Sequence, residues 1–144
     1  MTEKDDFELI LFLPYLLNLA AEETSMAFQR HYKDRYSMLR TEWRVLFHLG
    51  NYGKMTAREI CDRSKLHKTK VSRAVAGLEK RRFLTREKLP HDRRSEVLRL
   101  SQAGQSAYRD LQDFARSYDA EVTKDFSAEE AKTLKLALRK LAKL

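Results

Sequence analysis

The stretch Leu66-His67-Lys68-Thr69-Lys70-Val71-Ser72-Arg73-Ala74-Val75-Ala76-Gly77-Leu78 decides how the rest of the 144-residue chain is read. A helix from about His67 to Arg81 puts Val71, Ala74, Val75 and Leu78 on one side, at steps of three and four residues. With those four inward, a turn of about 100° per residue points Thr69, Arg73 and Ala76 outward. Lys70 and Ser72 flank them, and His67 and Lys68 stand at the helix start. Ala76 and Gly77 keep the face narrow. A helix that is apolar on one side and small, polar and cationic on the other suits the DNA major groove, about 12 Å wide. An ordinary solvated helix face has the same pattern, so the neighbouring sequence has to discriminate.

Upstream, Thr56-Ala57-Arg58-Glu59 is a capping box: the threonine side chain bonds the N3 amide and Glu59 reaches back to the N-cap amide. Ala57, Ile60 and Cys61 follow as one buried stripe. Ser64-Lys65-Leu66 makes a tight turn into the quoted helix, so two short helices meet there. Downstream of Arg82 the period changes from helical to alternating. Phe83–Leu89 and Ser95–Leu100 read as two strands joined by Pro90-His91-Asp92-Arg93-Arg94, a proline- and aspartate-bearing turn. Two helices and a two-stranded ribbon give the layout of a winged helix-turn-helix.

The ribbon tip is the more specific signal. Two arginines on a hairpin can reach a minor groove, whose negative potential attracts a guanidinium. An acid two residues ahead, Asp92, can orient the Arg94 guanidinium; a purely structural Asp–Arg turn has the same spacing. Arg86 and Lys88 on the first strand extend the charge toward phosphates. On the helix, Arg73 suits guanine, Thr69 and Ser72 suit base edges or phosphates, and Lys68 and Lys70 suit phosphates.

The flanks read as long helices. Pro14 opens one that runs to about Tyr32, with Leu16, Leu17, Ala20, Ala27 and Phe28 on a broad apolar face. Thr41 precedes Glu42–Gly50, where Trp43, Leu46, Phe47 and Gly50 recur at helical spacing, and Asn51 and Gly53 stop it. Ser101 caps a helix from Ala103 to Phe126, on which Tyr108, Leu111, Ala115, Tyr118, Val122 and Phe126 form a near-heptad seam. Ser127-Ala128-Glu129-Glu130 opens a last helix carrying Leu134, Leu138 and Leu141. A helix of about 35 Å is too long for a small globule to cover. The leftover face, with Leu16, Leu17, Tyr118, Val122, Leu134, Leu138 and Leu141, is expected to be a dimer interface.

Composition agrees and excludes other classes. Four glycines and two prolines argue against a turn-rich sandwich, and one cysteine excludes an internal disulfide framework and suits a reducing cytoplasm. The apolar run Leu9–Leu17 is shorter than the roughly 20 residues needed to span a bilayer. It follows four acidic residues and one lysine in Met1–Glu8, the reverse of a secretory leader, so no membrane partner is expected. The net charge of +8 is concentrated: Lys54 to Arg99 holds 15 Lys/Arg against 6 Asp/Glu, and the remainder 14 against 15. A concentrated basic block points to a polyanion. No phosphate-cradling glycine loop, nucleophile elbow or HExxH motif occurs, so no catalytic activity is expected. The four histidines lack metal-site spacing; His31 and His48 read as packing or helix-end residues, and no cofactor or metal is expected.

Taken together, Trp43-Arg44-Val45-Leu46, Val71-Ser72-Arg73 within Leu66–Leu78, Leu78-Glu79-Lys80-Arg81, Asp92-Arg93-Arg94-Ser95, Leu98-Arg99-Leu100-Ser101 and Gly104 resemble the multiple-antibiotic-resistance regulator (MarR) family. The resemblance is sharp over about residues 42–104. It implies a mainly α fold with a small β-hairpin wing, as a single unit 1–144. Residues 1–40 and 101–144 would be the dimerisation helices and 41–100 the winged DNA-binding module. It further implies a cytoplasmic homodimer on a pseudo-palindromic operator of double-stranded DNA, with Arg94 in the minor groove and Asp92 positioning it. A repressor released by a small-molecule effector is the regulatory sense the resemblance carries. The chain departs from the family at Arg82, where a glycine is common; arginine there implies a different helix end or a small strain.

Family ligands often lie between the dimer helices and the winged module. Tyr15, Phe28, Tyr32, Trp43, Phe47 and Tyr108 are aromatic candidates there, each more readily explained as core, so no ligand is assigned. Cys61 falls on a buried stripe and reads as an inert small hydrophobe. The rival reading is a winged-helix architectural or protein-interaction module that binds DNA only non-specifically. The preferred one is a sequence-specific regulator whose contacts are His67, Lys68, Thr69, Lys70, Ser72 and Arg73 on the helix, and Arg86, Lys88, Asp92, Arg93 and Arg94 on the wing.

Overall fold

The computed structural model describes residues 6–144, apart from the side chain of Arg93. A single 3-10 turn at Leu9–Leu11 leads into α1 (Leu13–Tyr36), then α2 (Arg40–Tyr52), β1 (Met55–Thr56), α3 (Ala57–Ser64) and α4 (Lys68–Lys80). The chain continues through β2 (Leu84–Leu89), β3 (Asp92–Leu100), α5 (Gln102–Val122) and α6 (Ala128–Leu141). This is the mainly α, winged arrangement the sequence implied.

Pro14 sits in the first turn of α1, where a missing N–H leaves no bond unmade. The helix runs on to Tyr36 and ends at Ser37, whose backbone is left-handed (φ 52°). At α2 the start differs from the expected Thr41: Leu39 is the capping residue, and its amide donates to the Glu42 carboxylate at 2.7 Å. The buried stripe of α2 is Glu42, Val45, Leu46 and Leu49; of Trp43, Leu46, Phe47 and Gly50, which recur at helical spacing, only Leu46 belongs to it. Trp43 and Phe47 are half-buried on a neighbouring face, and Gly50 lies under the Tyr108 ring, where any Cβ would overlap it. Gly53 (φ 82°) closes the helix, as expected.

Thr56 caps α3 by accepting from the Glu59 amide at 3.1 Å. Glu59 accepts in return from the Thr56 hydroxyl (3.2 Å) rather than from the N-cap amide. On α3 Ile60 is fully buried and Cys61 half-buried, but Ala57 is exposed, so the stripe is narrower than its spacing suggested. All four inward residues of α4, Val71, Ala74, Val75 and Leu78, are buried against the core.

The end of α4 accounts for the departure at Arg82. Phe83 N–H donates to the Leu78 carbonyl and Arg82 N–H to that of Glu79, both at 2.9 Å, the paired bonds of a Schellman stop. That stop places Arg82 at φ 63°, the left-handed region where a Cβ costs energy. Arg82→Gly is therefore expected to stabilise the fold by about 0.5–1 kcal/mol, offset in part by added unfolded-state freedom. Denaturant unfolding of the two proteins checks this; a midpoint that falls would show that Arg82 holds a compensating contact.

The sheet has the order β1-β3-β2, all antiparallel. β1 was not expected; Met55 opposes Leu98 and Thr56 opposes Val97. Leu84, Leu98, Leu100 and Met55 face the core. Ser101 caps α5, accepting from Gly104 N–H at 3.0 Å and donating to the Arg82 carbonyl at 2.6 Å. A Cβ on Gly104 would overlap the Phe83 carbonyl, so glycine lets α5 start directly against the loop that follows α4.

α5 stops at Val122, short of the expected Phe126, which lies exposed in the turn before α6. Both halves of the capping box at Ser127 and Glu130 form, at 3.0 and 3.1 Å, and hydrogen bonds from the Ser127 backbone N–H and side chain hold the Glu130 carboxyl below its ordinary range. Tyr36 ties α1 to α5 by donating to Asp110 at 2.6 Å, and Arg35 reaches the same carboxylate at 3.1 Å. Burial and the Asp110 hydrogen bond push the Tyr36 phenol up to about 12. The core occupies the winged module, the Phe28–Tyr32 part of α1, Met38 just beyond it, and the first half of α5. By contrast Leu16, Val122, Leu134, Leu138 and Leu141 are exposed, and no residue of α6 is buried. Among the described residues, no helix is long and apolar enough to cross a membrane.

Candidate nucleic-acid interface

Burying one stripe of α4 fixes what the other presents. Thr69, Lys70, Ser72, Arg73 and Ala76 are all exposed, as is Lys68 at the helix start. His67 is the N-cap: its Nδ1 accepts from Thr69 N–H at 3.2 Å, so any proton on the neutral ring sits on Nε2. Gly77 does not serve the outward face as expected. It is half-buried, and a Cβ there would overlap the Glu42 carboxylate, so its smallness admits an internal contact.

The wing is built by an irregular register. Thr85 opposes Arg99, Arg86 opposes Leu98 and Lys88 opposes Glu96, but the next residue, Leu89, opposes Asp92. Arg93, Arg94 and Ser95 thus form a bulge on β3 just behind the Pro90-His91 tip. Asp92 organises it: its Oδ1 accepts from the Arg94 backbone N–H at 3.0 Å and its Oδ2 from the Ser95 hydroxyl at 3.1 Å. The expected contact to the Arg94 guanidinium is replaced by one to the backbone, so Asp92 shapes the loop and leaves the guanidinium free to reach outward. The Arg93 side chain lies outside the described residues.

Arg86 and Lys88 differ in their surroundings. Arg86 bridges Glu79 of α4 at 2.9 Å and Glu96 of β3 at 3.2 Å. Burial would lower its pKa, but the hydrogen bonds to Glu96 and Glu79 carry it upward. It ties the base of the wing to α4. Lys88 is exposed and has no carboxylate partner among the described residues. Among the described residues, Lys68, Lys70, Arg73 and Arg94 likewise have no ion-pair partner, whereas Arg99 is drawn to Glu87 at 3.8 Å. These five cations, held in no ion pair among the described residues, sit on the outward face of α4 and on the wing.

A second feature lies away from this surface. A cleft of about 780 Å³ opens between α1, α2, α5 and α6. All seven residues expected at the dimer interface, Leu16, Leu17, Tyr118, Val122, Leu134, Leu138 and Leu141, line it. Its inner wall is aromatic: the Phe28 ring meets Trp43 edge-on at 5.2 Å and Phe47 at 6.5 Å, with Tyr32 beside them. Of the six aromatic candidates, Tyr15 and Tyr108 do not line it; Tyr108 hydrogen-bonds Asn51 and Gln112 instead. Arg40 lines the cleft, and burial together with Arg40 lowers the pKa of neighbouring half-buried Arg44. His31 stacks on Phe114 at 3.5 Å, a packing role, and His48 bonds the Arg44 carbonyl at 2.6 Å.

Sequence reasoning missed the buried Glu42 and its partner Arg81. Glu42 falls on the i, i+3, i+4, i+7 stripe with Val45, Leu46 and Leu49, which was the available signal.

The sequence model of the MarR family matches residues 36–95. The chain superposes on a MarR/EmrR family transcriptional regulator from Acinetobacter sp. ADP1 with a TM-score of 0.84 at 24% identity, covering 95% of this chain and 96% of that one. It is similar to Bordetella bronchiseptica BpsR, whose DNA binding is regulated by 6-hydroxynicotinic acid, with a TM-score of 0.88 at 18% identity over 97% and 99% of the two chains. A cysteine-to-serine mutant of E. coli MarR complexed with operator DNA gives 0.82 at 19% identity, over 96% and 99%. Comparison with curated protein sequences finds no match.

Proposed function

We propose that this chain, a MarR family member by its winged segment and by its fold, is a sequence-specific, double-stranded-DNA-binding transcriptional regulator acting as a cytoplasmic homodimer. The observation that carries the reading is that the outward face of α4 and the wing present exposed cations held in no ion pair among the described residues. Lys68, Lys70 and Arg73 line the open face of α4, and Arg94 projects from a bulge that Asp92 shapes. In this reading α4 enters the major groove with His67, Thr69, Ser72 and Arg73 near bases, and the lysines, Lys88 included, meet phosphates. Arg93 and Arg94 follow the adjacent minor groove. Arg86 keeps the wing at a fixed angle to α4 through Glu79.

The exposed apolar cleft supports the dimer. Leu16, Leu17, Tyr118, Val122, Leu134, Leu138 and Leu141 of two copies interlock, and two α4 helices then meet half-sites one DNA turn apart, about 34–36 Å. The regulator acts as a repressor by occupying a promoter operator. A small, largely apolar acid bound against Phe28, Trp43 and Phe47, its charge toward Arg40, releases it by changing the distance between the two modules. The relative whose DNA binding responds to 6-hydroxynicotinic acid lends support to that ligand class.

Selection of binding sites from a random duplex pool tests the whole reading. The expected product is a pseudo-palindrome with half-sites about 10 base pairs apart, held against excess random DNA. A pool that never enriches would sink the regulator reading and leave a winged architectural module that binds DNA by charge alone.

A further inference from the structure

Glu42 is the one charged side chain buried among the described residues, at 2% exposure. Its Oε1 accepts from the Leu39 amide at 2.7 Å, and its Oε2 accepts from Nη1 of Arg81, the capping residue at the end of α4. Arg81 Nη1 also approaches the Gly77 carbonyl at 3.3 Å, and its Nη2 donates to the Ser37 carbonyl at 2.5 Å. Ser37 is the left-handed residue that ends α1. One planar guanidinium therefore joins the end of α1, the start of α2 and the end of α4.

Apolar burial already holds α4 to α2, through Val71, Ala74, Val75 and Leu78. That attraction is non-directional: it resists separation but does little to fix rotation or slide. An arginine fork clamped on a buried carboxylate is directional, because its donors lie in one plane at fixed angles. A buried ion pair contributes little net stability compared with apolar packing of the same volume. What it adds at this joint is geometry. The Gly77 backbone comes so close to the Glu42 carboxylate that any side chain would displace it, so the approach is built into the sequence of α4 itself.

Resting on the dimeric operator-binding reading above, we infer that Arg81, held by Glu42, is a positioning residue that fixes α4 relative to α1 and so sets the half-site spacing the dimer accepts. α1 belongs to the proposed dimer frame and α4 to the reading head. The Arg81–Ser37 bond links the two directly. Loosening the joint leaves each head able to read its own half-site while relaxing the distance between the two.

The test uses the full chain and compares the parent with Arg81→Lys, Glu42→Gln and Gly77→Ala. Arg81→Lys keeps the charge but loses the fork; Glu42→Gln keeps the shape and an acceptor for the Leu39 amide; Gly77→Ala displaces the carboxylate without removing either charge. Affinity is measured for the selected operator, for versions with one base pair added or removed between half-sites, and for a single half-site. One base pair moves a half-site by about 3.4 Å along the axis. The parent is expected to prefer the selected spacing by about tenfold or more, comparable with a wrong base pair. The variants are expected to bind the single half-site like the parent while losing roughly threefold or more of the spacing preference. Any one variant that melts cooperatively, sediments as a dimer and keeps the parental ratio overturns the inference. Equal loss on the single half-site also overturns it, since the joint would then be shaping the head alone. A parent that prefers no duplex at all would instead defeat the underlying reading.

Discussion

Arg94→Ala is expected to weaken operator binding by about ten- to a hundredfold, while unfolding stability stays within about 0.5 kcal/mol of the parent. The separation of the two effects follows from the wing's construction. The contacts that shape the bulge run through the Arg94 backbone N–H and the Ser95 hydroxyl to Asp92, and truncating the guanidinium leaves all of them in place. The lost group is an exposed cation with no carboxylate partner among the described residues, so truncating it strips no buried group of its partner. In the proposed minor-groove contact the same group would meet a concentrated negative potential that water screens poorly. Removing it should also lower the slope of log affinity against log salt by roughly 0.9, one phosphate's share. Asp92→Ala should act on the same site by another route. It frees the bulge backbone, so affinity falls through the ordering cost while the salt slope stays near that of the parent. If Arg94→Ala binds the selected operator as the parent does, the wing is not a DNA contact.

Leu134→Glu combined with Leu138→Glu is expected to convert the protein to a folded monomer and to lower operator affinity by about a hundredfold or more, the avidity of two linked heads. Both leucines are exposed on α6, which buries no residue of its own, so a single chain loses little when they change. In a dimer each buried leucine contributes about 1.5–3 kcal/mol. Two carboxylates facing the symmetry mates of Leu16 and Val122 would add a desolvation cost of several kcal/mol. Sedimentation of parent and variant at micromolar concentration reads the assembly, and circular dichroism reads the fold. A variant that still sediments as a dimer would place the subunit contact elsewhere.

Legibility in the sequence followed the range of the interactions concerned. The inward stripe of α4 and the capping box at Ser127 depend on residues three and four apart, and both appear in the structure as read. β1 was missed because two residues carry no periodicity; Met55 and Thr56 become a strand only by meeting Leu98 and Val97 from the far side of the module. α5 was read four residues too long, because Phe126 continues the seam in register while the chain has already turned at Thr123. On α2 the aromatic residues suggested the wrong inward face: Trp43 and Phe47 line the cleft, and an acid occupies the core stripe. The stripe spacing of Glu42 was there to read, but the partner that makes its burial tolerable, Arg81, lies 39 residues away. Arg86 and Arg94 look alike in sequence, yet one is held between two carboxylates and the other is not. That difference was invisible before the hairpin register was known.

The bulge behind the wing tip has a consequence for how this molecule can diversify. In a regular ladder, inserting one residue turns every later side chain over and would carry Leu98 and Leu100 out of the core. Here the ladder is already interrupted between Lys88 and Leu89, and the slack residues Arg93 to Ser95 lie outside the pairing. A residue gained or lost at the tip is absorbed there, and the β2–β3 pairing from Leu84 with Leu100 to Lys88 with Glu96 keeps its phase. The reach of the hairpin is thus an adjustable length on a fixed base, free to drift between descendants without disturbing the core beneath it.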